Sequence, residues 1–316
     1  MEEESKTRVS RRAFTAASLA AGVSLVTAPG DSVANAAASG WIDAHTHVWT
    51  DDLKHYPIAA NYTASSMQPA RFTPEDLFPH TKPAGVERVV LIQMSYYGFD
   101  NSYMTDMIAK HPGVFAGVAI VDHRKVDVAH RMKELARQGV RGFRLYPPSD
   151  QKTDWTTDDS MHQLWKSARE QDLAVCLLIN PTDLPMAAKM GEIFPGTRIV
   201  IDHFARIGVS GKIDSAALDQ LCGLAKNPDV LVKISAFYAL GKKQAPYDDL
   251  LPMIRRLLDA YGPSRLMWAS DNPYQVQAPH RYVDSLALIR DRIDFLSPGD
   301  KEHLLRKTAE QVYFRT

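Results

Sequence analysis

The chain has 316 residues, 45% hydrophobic and 23% charged, with 37 Lys plus Arg balanced by 37 Asp plus Glu. Zero formal net charge leaves no basic excess for a polyanion, so no nucleic-acid partner is expected. With 17 Gly, 19 Pro and 2 Cys, the composition excludes a disordered, collagenous or disulfide-framework protein.

The first element in chain order is an export signal. Arg11 and Arg12 precede Phe14, a mildly apolar stretch runs from Ala16 to Ala28, and Ala34, Asn35 and Ala36 form a small-residue cleavage site. That order describes a secretory leader, and the paired arginines give it twin-arginine character. A membrane helix needs about 20 predominantly apolar residues, more than this run supplies. The expectation is a signal over 1–36 and a periplasmic mature chain of 37–316 with no membrane span. About 250 residues is typical of a single (β/α) barrel, and no linker or repeat divides this stretch.

Eight apolar runs follow: Trp41–Ala44, Arg88–Gln93, Val114–Val121, Val140–Leu145, Leu173–Ile179, Arg198–Ile201, Val230–Ile234 and Arg265–Trp268. They are rich in Val, Ile and Leu and alternate little, as strands buried on both faces do. Helices are predicted over Val126–Gln138, Asp158–Gln171, Ser215–Lys226, Tyr247–Ala260, His280–Arg290 and Asp300–Phe314. In the first, Val128, Met132 and Leu135 recur at helical spacing; the second opens on Asp158, Asp159 and Ser160, good N-terminal residues. Strand and helix alternating in this way predict an α/β fold, a single-domain (β/α)8 TIM barrel. An open doubly wound sheet is the competitor, but no G-x-G-x-x-G follows the first strand. The irregular stretches are Thr50–Thr73 and Gln151–Thr157; the first leaves strand one directly and is a candidate cover for the active-site face. Cys176 and Cys222 read as two separate buried thiols, although an oxidising compartment would allow them to pair.

Chemistry concentrates at strand ends. Asp43, Ala44, His45, Thr46 and His47 close strand one, and residues two apart project to the same side, so both imidazoles can share a cation or a substrate oxygen. Asp202 and His203 end strand six, and Asp271 follows strand eight. Each alone has a bland reading as a cap, a core histidine or a turn residue. Together at barrel strand ends they point to catalysis, with Asp271 able to ligate a metal or take a proton from water. Arg144, Arg206 and Lys233 suggest an anionic substrate, or else structural pairing with Asp43 or Asp202. Tyr146, with Trp49, Tyr96, Tyr97, Tyr238 and Tyr274, could line a pocket, and His123 could join the mouth.

These pieces together resemble the amidohydrolase superfamily, in particular its amidohydrolase-related branch of lactonases. The carriers are Ile42 to Trp49, Gly139 to Arg144, Ile201 to Arg206, Val232 to Ser235, Ala269 to Pro273 and the closing Glu310 to Tyr313. The resemblance implies a (β/α)8 hydrolase centred on His45, His47, His203 and Asp271. Beside it, the basic and aromatic residues already named lead to the expectation that Arg144, Arg206, Lys233 and Tyr146 hold the substrate. The resemblance also implies one divalent metal, zinc first, on His45, His47 and Asp271, or else metal-free catalysis. There is a departure: many members carry a ligating Lys or Glu after strand four and a His after strand five. Here those places hold Arg144, Leu145 and Tyr146, and Ile179, Asn180 and Pro181, which argues against a two-metal site. The expected reaction is opening of a lactone or similar cyclic ester that is anionic or hydroxylated. A metal-dependent nonoxidative decarboxylase and an exported binding barrel without turnover are the competing readings.

Overall fold

The apolar runs become strands because neither face meets water. In a computed structural model of the chain, residues 40–147 and 154–315 are described. The export segment expected over 1–36 and residues 151–153 of the second irregular stretch lie outside them. Among the described residues, eight parallel strands follow one another in sequence order. They are β1 (Trp41–Thr46), β2 (Val86–Ile92), β3 (Phe115–Ala119), β4 (Val140–Leu145), β5 (Ala174–Leu177), β6 (Ile199–Ile201), β7 (Val230–Ser235) and β8 (Leu266–Ala269). Beyond β8, Thr46 bridges Asn272 in the parallel sense, the Asp271 N–H donates to the His45 carbonyl (2.9 Å) and the His47 N–H to the Asn272 carbonyl (2.8 Å). These bonds bring the last strand back to the first, and the sheet forms a nearly closed barrel of the TIM type.

The helices are α1 (Pro74–Thr81), α2 (Ser102–Lys110), α3 (Val128–Arg137), α4 (Asp159–Glu170), α5 (Leu184–Ile193), α6 (Ser215–Gly223), α7 (Leu251–Tyr261), α8 (Tyr282–Ala287), α9 (Pro298–Glu302) and α10 (Thr308–Tyr313). Val128, Met132 and Leu135 are the buried face of α3, as their spacing predicts. The Asp158 carboxylate caps α4 by accepting from the N–H groups of Ser160 and Met161. Helices α1, α2 and α5 fall outside the predicted stretches. The helix expected over His280–Arg290 ends in a wider π turn (Leu288–Arg292), and another π turn (His303–Lys307) lies between α9 and α10. No helix of the described residues is long and apolar enough to cross a membrane.

Two apolar layers result. The larger lies between strands and helices; the smaller fills the barrel with Ile42, Ala44, Val90, Val118, Cys176, Val200, Met267 and Ala269. Ala309, Val312 and Tyr313 of α10 join the inner layer, so the last helix stoppers the barrel floor. Cys176 is buried there with its Sγ 3.4 Å from the Tyr313 hydroxyl, whereas Cys222, expected to be buried, is partly exposed on α6; both are free thiols.

Candidate active site

A bulge decides which way the first motif faces. Asp43 pairs with Val89 and Thr46 with Leu91, so β1 carries one residue more than β2 between those points. An extra residue reverses the alternation of side chains. Ile42 and Ala44 face the barrel interior below the bulge, and above it the inward places fall to His45 and His47. Asp43 turns the other way. Its carboxylate accepts from the Ser270 N–H (2.9 Å), the His45 N–H (3.2 Å) and the Tyr282 hydroxyl (3.0 Å), clasping β1 to the end of β8. Burial pushes the Asp43 carboxyl up, and those hydrogen bonds oppose it.

The chain brings His203 in by an unusual route. After β6, residues His203, Phe204, Ala205 and Arg206 all lie in the left-handed region, at φ 52, 54, 52 and 60°. A left-handed non-glycine residue costs about 1–2 kcal/mol, so a run of four is stored strain of the kind that collects at functional sites. Replacing the buried Ala205 by Gly is expected to relieve part of it. The stability gain should be about 1 kcal/mol, seen in thermal unfolding as a Tm rise of about 2–4 °C. Asp271 is likewise left-handed, at φ 67°.

Four side chains expected at the centre do meet there. The His47 Nδ1–H donates to the Ile92 carbonyl at 2.9 Å. A carbonyl can only accept, so in the neutral ring Nε2 carries a lone pair. That Nε2 lies 3.3 Å from His45 Nε2 and 3.2 Å from Asp271 Oδ1, and His45 Nε2 is 3.5 Å from the same oxygen. Three donor atoms this close repel unless a cation or proton lies among them. The spacing matches ligands placed tetrahedrally about 2.0–2.1 Å from one ion, which stand about 3.3 Å apart. The donors therefore fit a single divalent metal, and imidazole nitrogen with carboxylate oxygen is a set that zinc takes. His203 joins them: its Nε2 is 3.9 Å from Asp271 Oδ2, and His45, His203 and Asp271 offer ligand atoms all within 4.8 Å of one another. The expected triad and this alternative share two members, and the tighter spacing favours His45, His47 and Asp271. The His203 ring is turned by a 2.8 Å hydrogen bond between Nδ1 and the Ser235 hydroxyl.

Charge is arranged around this point. Burial, then the cationic Lys233, holds His45 well below the usual imidazole range, and burial lowers His203 too. Burial pushes the Asp271 carboxyl up, but the surrounding imidazoles, His203 first, together drive it below its ordinary value. Asp271 is thus an ionised acceptor. Its Oδ2 takes a 2.6 Å hydrogen bond from the Tyr238 hydroxyl.

Above the cluster opens a cavity of about 450 Å³ lined by His47, His203, Asp271, Arg144, Arg206 and Tyr146 among others. Arg144 is 9% exposed, and its Nε has no hydrogen-bond partner among the described residues. Lys233 does not take the substrate-facing place expected of it. It is fully buried and absent from the cavity wall, because its ammonium lies 3.0 Å from Asp202 Oδ1 and 3.3 Å from His45 Nδ1, deeper in the barrel. His45 also sits below the wall, reaching the centre through Nε2. His123 faces Asp158 at 3.7 Å rather than the mouth. Of the aromatic residues, Tyr146, Tyr238 and Tyr274 line the cavity, whereas Trp49, Tyr96 and Tyr97 are buried in the surrounding core. Sequence reasoning missed Gln93, Ser235 and Tyr62, the last reaching the cavity from the Thr50–Thr73 stretch.

The chain is similar to proteins of known activity. It is 31% identical over 284 residues, 86% of this chain and 94% of the other, to an L-fucono-1,5-lactonase of Burkholderia ambifaria. It is 27% identical over 271 residues, 82% of this chain and 85% of the other, to a 2-pyrone-4,6-dicarboxylate hydrolase of Comamonas testosteroni. The fold matches that of an amidohydrolase from Burkholderia multivorans crystallised with bound zinc. The TM-score is 0.73 at 20% identity, covering 87% of this chain and 99% of that one. The amidohydrolase family model matches residues 42–315, nearly all of the described barrel, and the chain belongs to that family.

Proposed function

We propose that this hydrolase opens a lactone or similar cyclic ester carrying an anionic group. The observation that carries the reading is one ionised carboxylate, Asp271, set among three imidazoles on the floor of a cavity whose wall holds Arg144 and Arg206. The names of the similar lactone hydrolases support it.

Asp271 accepts the proton of the attacking water, and Tyr238 holds Oδ2 so that Oδ1 stays turned to His45 and His47. A carboxylate is a weak base, so the water must be more acidic than bulk water. That acidity, with polarisation of the carbonyl, is what a divalent ion on His45, His47 and Asp271 would supply. His203 faces the same point and supports charge on the carbonyl or leaving oxygen, a contribution of about 3–4 kcal/mol for a well-placed donor. Arg144 and Arg206 pair with the substrate anion. Water adds across the acyl C–O bond, giving one carboxylate and one hydroxyl.

The test is a panel of lactones and cyclic esters, assayed with and without added Zn²⁺ or Mn²⁺. Turnover of an anionic lactone is expected; no ring opening with either metal would remove the reading. Arg144→Met should raise KM roughly 10–100-fold, matching loss of about 1.5–3 kcal/mol of charged hydrogen bonding, with a smaller change in kcat. The leader over 1–36 places the enzyme in the periplasm under the same proposal, so periplasmic extracts should hold the shortened chain.

A further inference from the structure

We propose that Lys233 is a positioning residue that sets the charge of the metal site and thereby holds down its affinity for a divalent ion. The proposal rests on His45, His47 and Asp271 being the cation's ligands. Lys233 and Asp202 are both fully buried and 3.0 Å apart. His45 stands between this pair and the donor atoms. Its Nδ1 is 3.4 Å from Asp202 Oδ1 and 3.3 Å from Lys233 Nζ, while its Nε2 faces His47 and Asp271. One ring therefore separates the ion pair from the place a metal would occupy.

A buried ion pair adds little net stability over apolar residues of the same volume. Lys233 cannot touch substrate either, since it is absent from the cavity wall. Its field is what remains. With Lys233 present, the Asp202 charge is cancelled and the donors offer the charge of Asp271 alone. Arg144 Nε, 4.0 Å from Asp202 Oδ2, adds a second cation on the other flank. Two carboxylates and two cations leave this buried centre formally neutral before any metal arrives. Removing Lys233 exposes a second negative charge one ring away, and removing the Asp202 charge leaves an uncancelled positive one. Charges so close in a water-poor interior interact strongly enough to shift divalent affinity by about tenfold or more.

The experiment is calorimetric titration of Zn²⁺ into metal-stripped protein, using wild type, Lys233→Gln, Asp202→Asn and the double variant. Tighter binding by about tenfold or more is expected for Lys233→Gln, weaker binding by a similar factor for Asp202→Asn, and near-wild-type affinity for the double variant. A purely structural pair predicts that both single variants weaken binding, and that result would overturn the proposal. If Lys233→Gln does not fold, the weakened Asp202→Asn restored by the second substitution still supports it, and failure of that restoration sinks it. A wild type that takes up no zinc while Lys233→Gln does would retire the metal from the native reaction yet uphold the role of Lys233. No uptake by any of the four would end both.

Discussion

Asp271→Asn is expected to fold normally and to lose at least about 10²-fold in kcat, the scale of a lost general base. The amide keeps the volume and one oxygen for the Tyr238 hydrogen bond. It loses the negative charge of the carboxylate, and with it the acceptor for the proton of water. Bound metal should fall as well, because a neutral amide oxygen replaces the one anionic donor of the set. Steady-state kinetics with elemental analysis separate the two effects: an asparagine variant refilled with zinc and still slow isolates the proton-accepting role. Near-wild-type turnover would remove Asp271 from the reaction.

Asp43→Ala is expected to cost about 3–5 kcal/mol of stability, lowering Tm by about 10 °C in thermal unfolding. The carboxylate is fully buried and serves three donors, the N–H groups of Ser270 and His45 and the Tyr282 hydroxyl. Alanine leaves all three without an acceptor at the point where the last strand meets the first. Asp43→Asn keeps one acceptor oxygen and should recover part of the loss. Equal stability of the alanine variant and wild type would mean that the barrel closes without this clasp. Activity should fall along with stability, since His45 and Asp271 are joined across the same seam.

The barrel was legible because strands buried on both faces leave unbroken apolar runs, and helices such as α3 and α4 carry spaced core residues and an end cap. Helix α5 also carried a readable signal in Leu184, Ala187, Met190 and Gly191. Helix α1 is short and contains Pro79, and its propensity gives little away. The pairing of His45 with His47 was legible because both lie past the bulge, so their own alternation is intact. The bulge itself left no mark in the sequence, nor did the left-handed turn over 203–206, which contains no glycine. Lys233 shows the limit most clearly. Period-two alternation says that it points inward, but its depth is set by the stagger of neighbouring strands, a property of the closed barrel. Tyr62 comes from an irregular stretch whose path over the cavity depends on long-range contacts.

The central claim is water addition to a cyclic ester at the Asp271 cluster, and its most direct test is mass spectrometry of the product formed in heavy-oxygen water. A single labelled oxygen in the newly formed carboxylate is predicted, with the label lost together with turnover in Asp271→Asn. Product formed without label, or release of carbon dioxide from the substrate, would contradict the account.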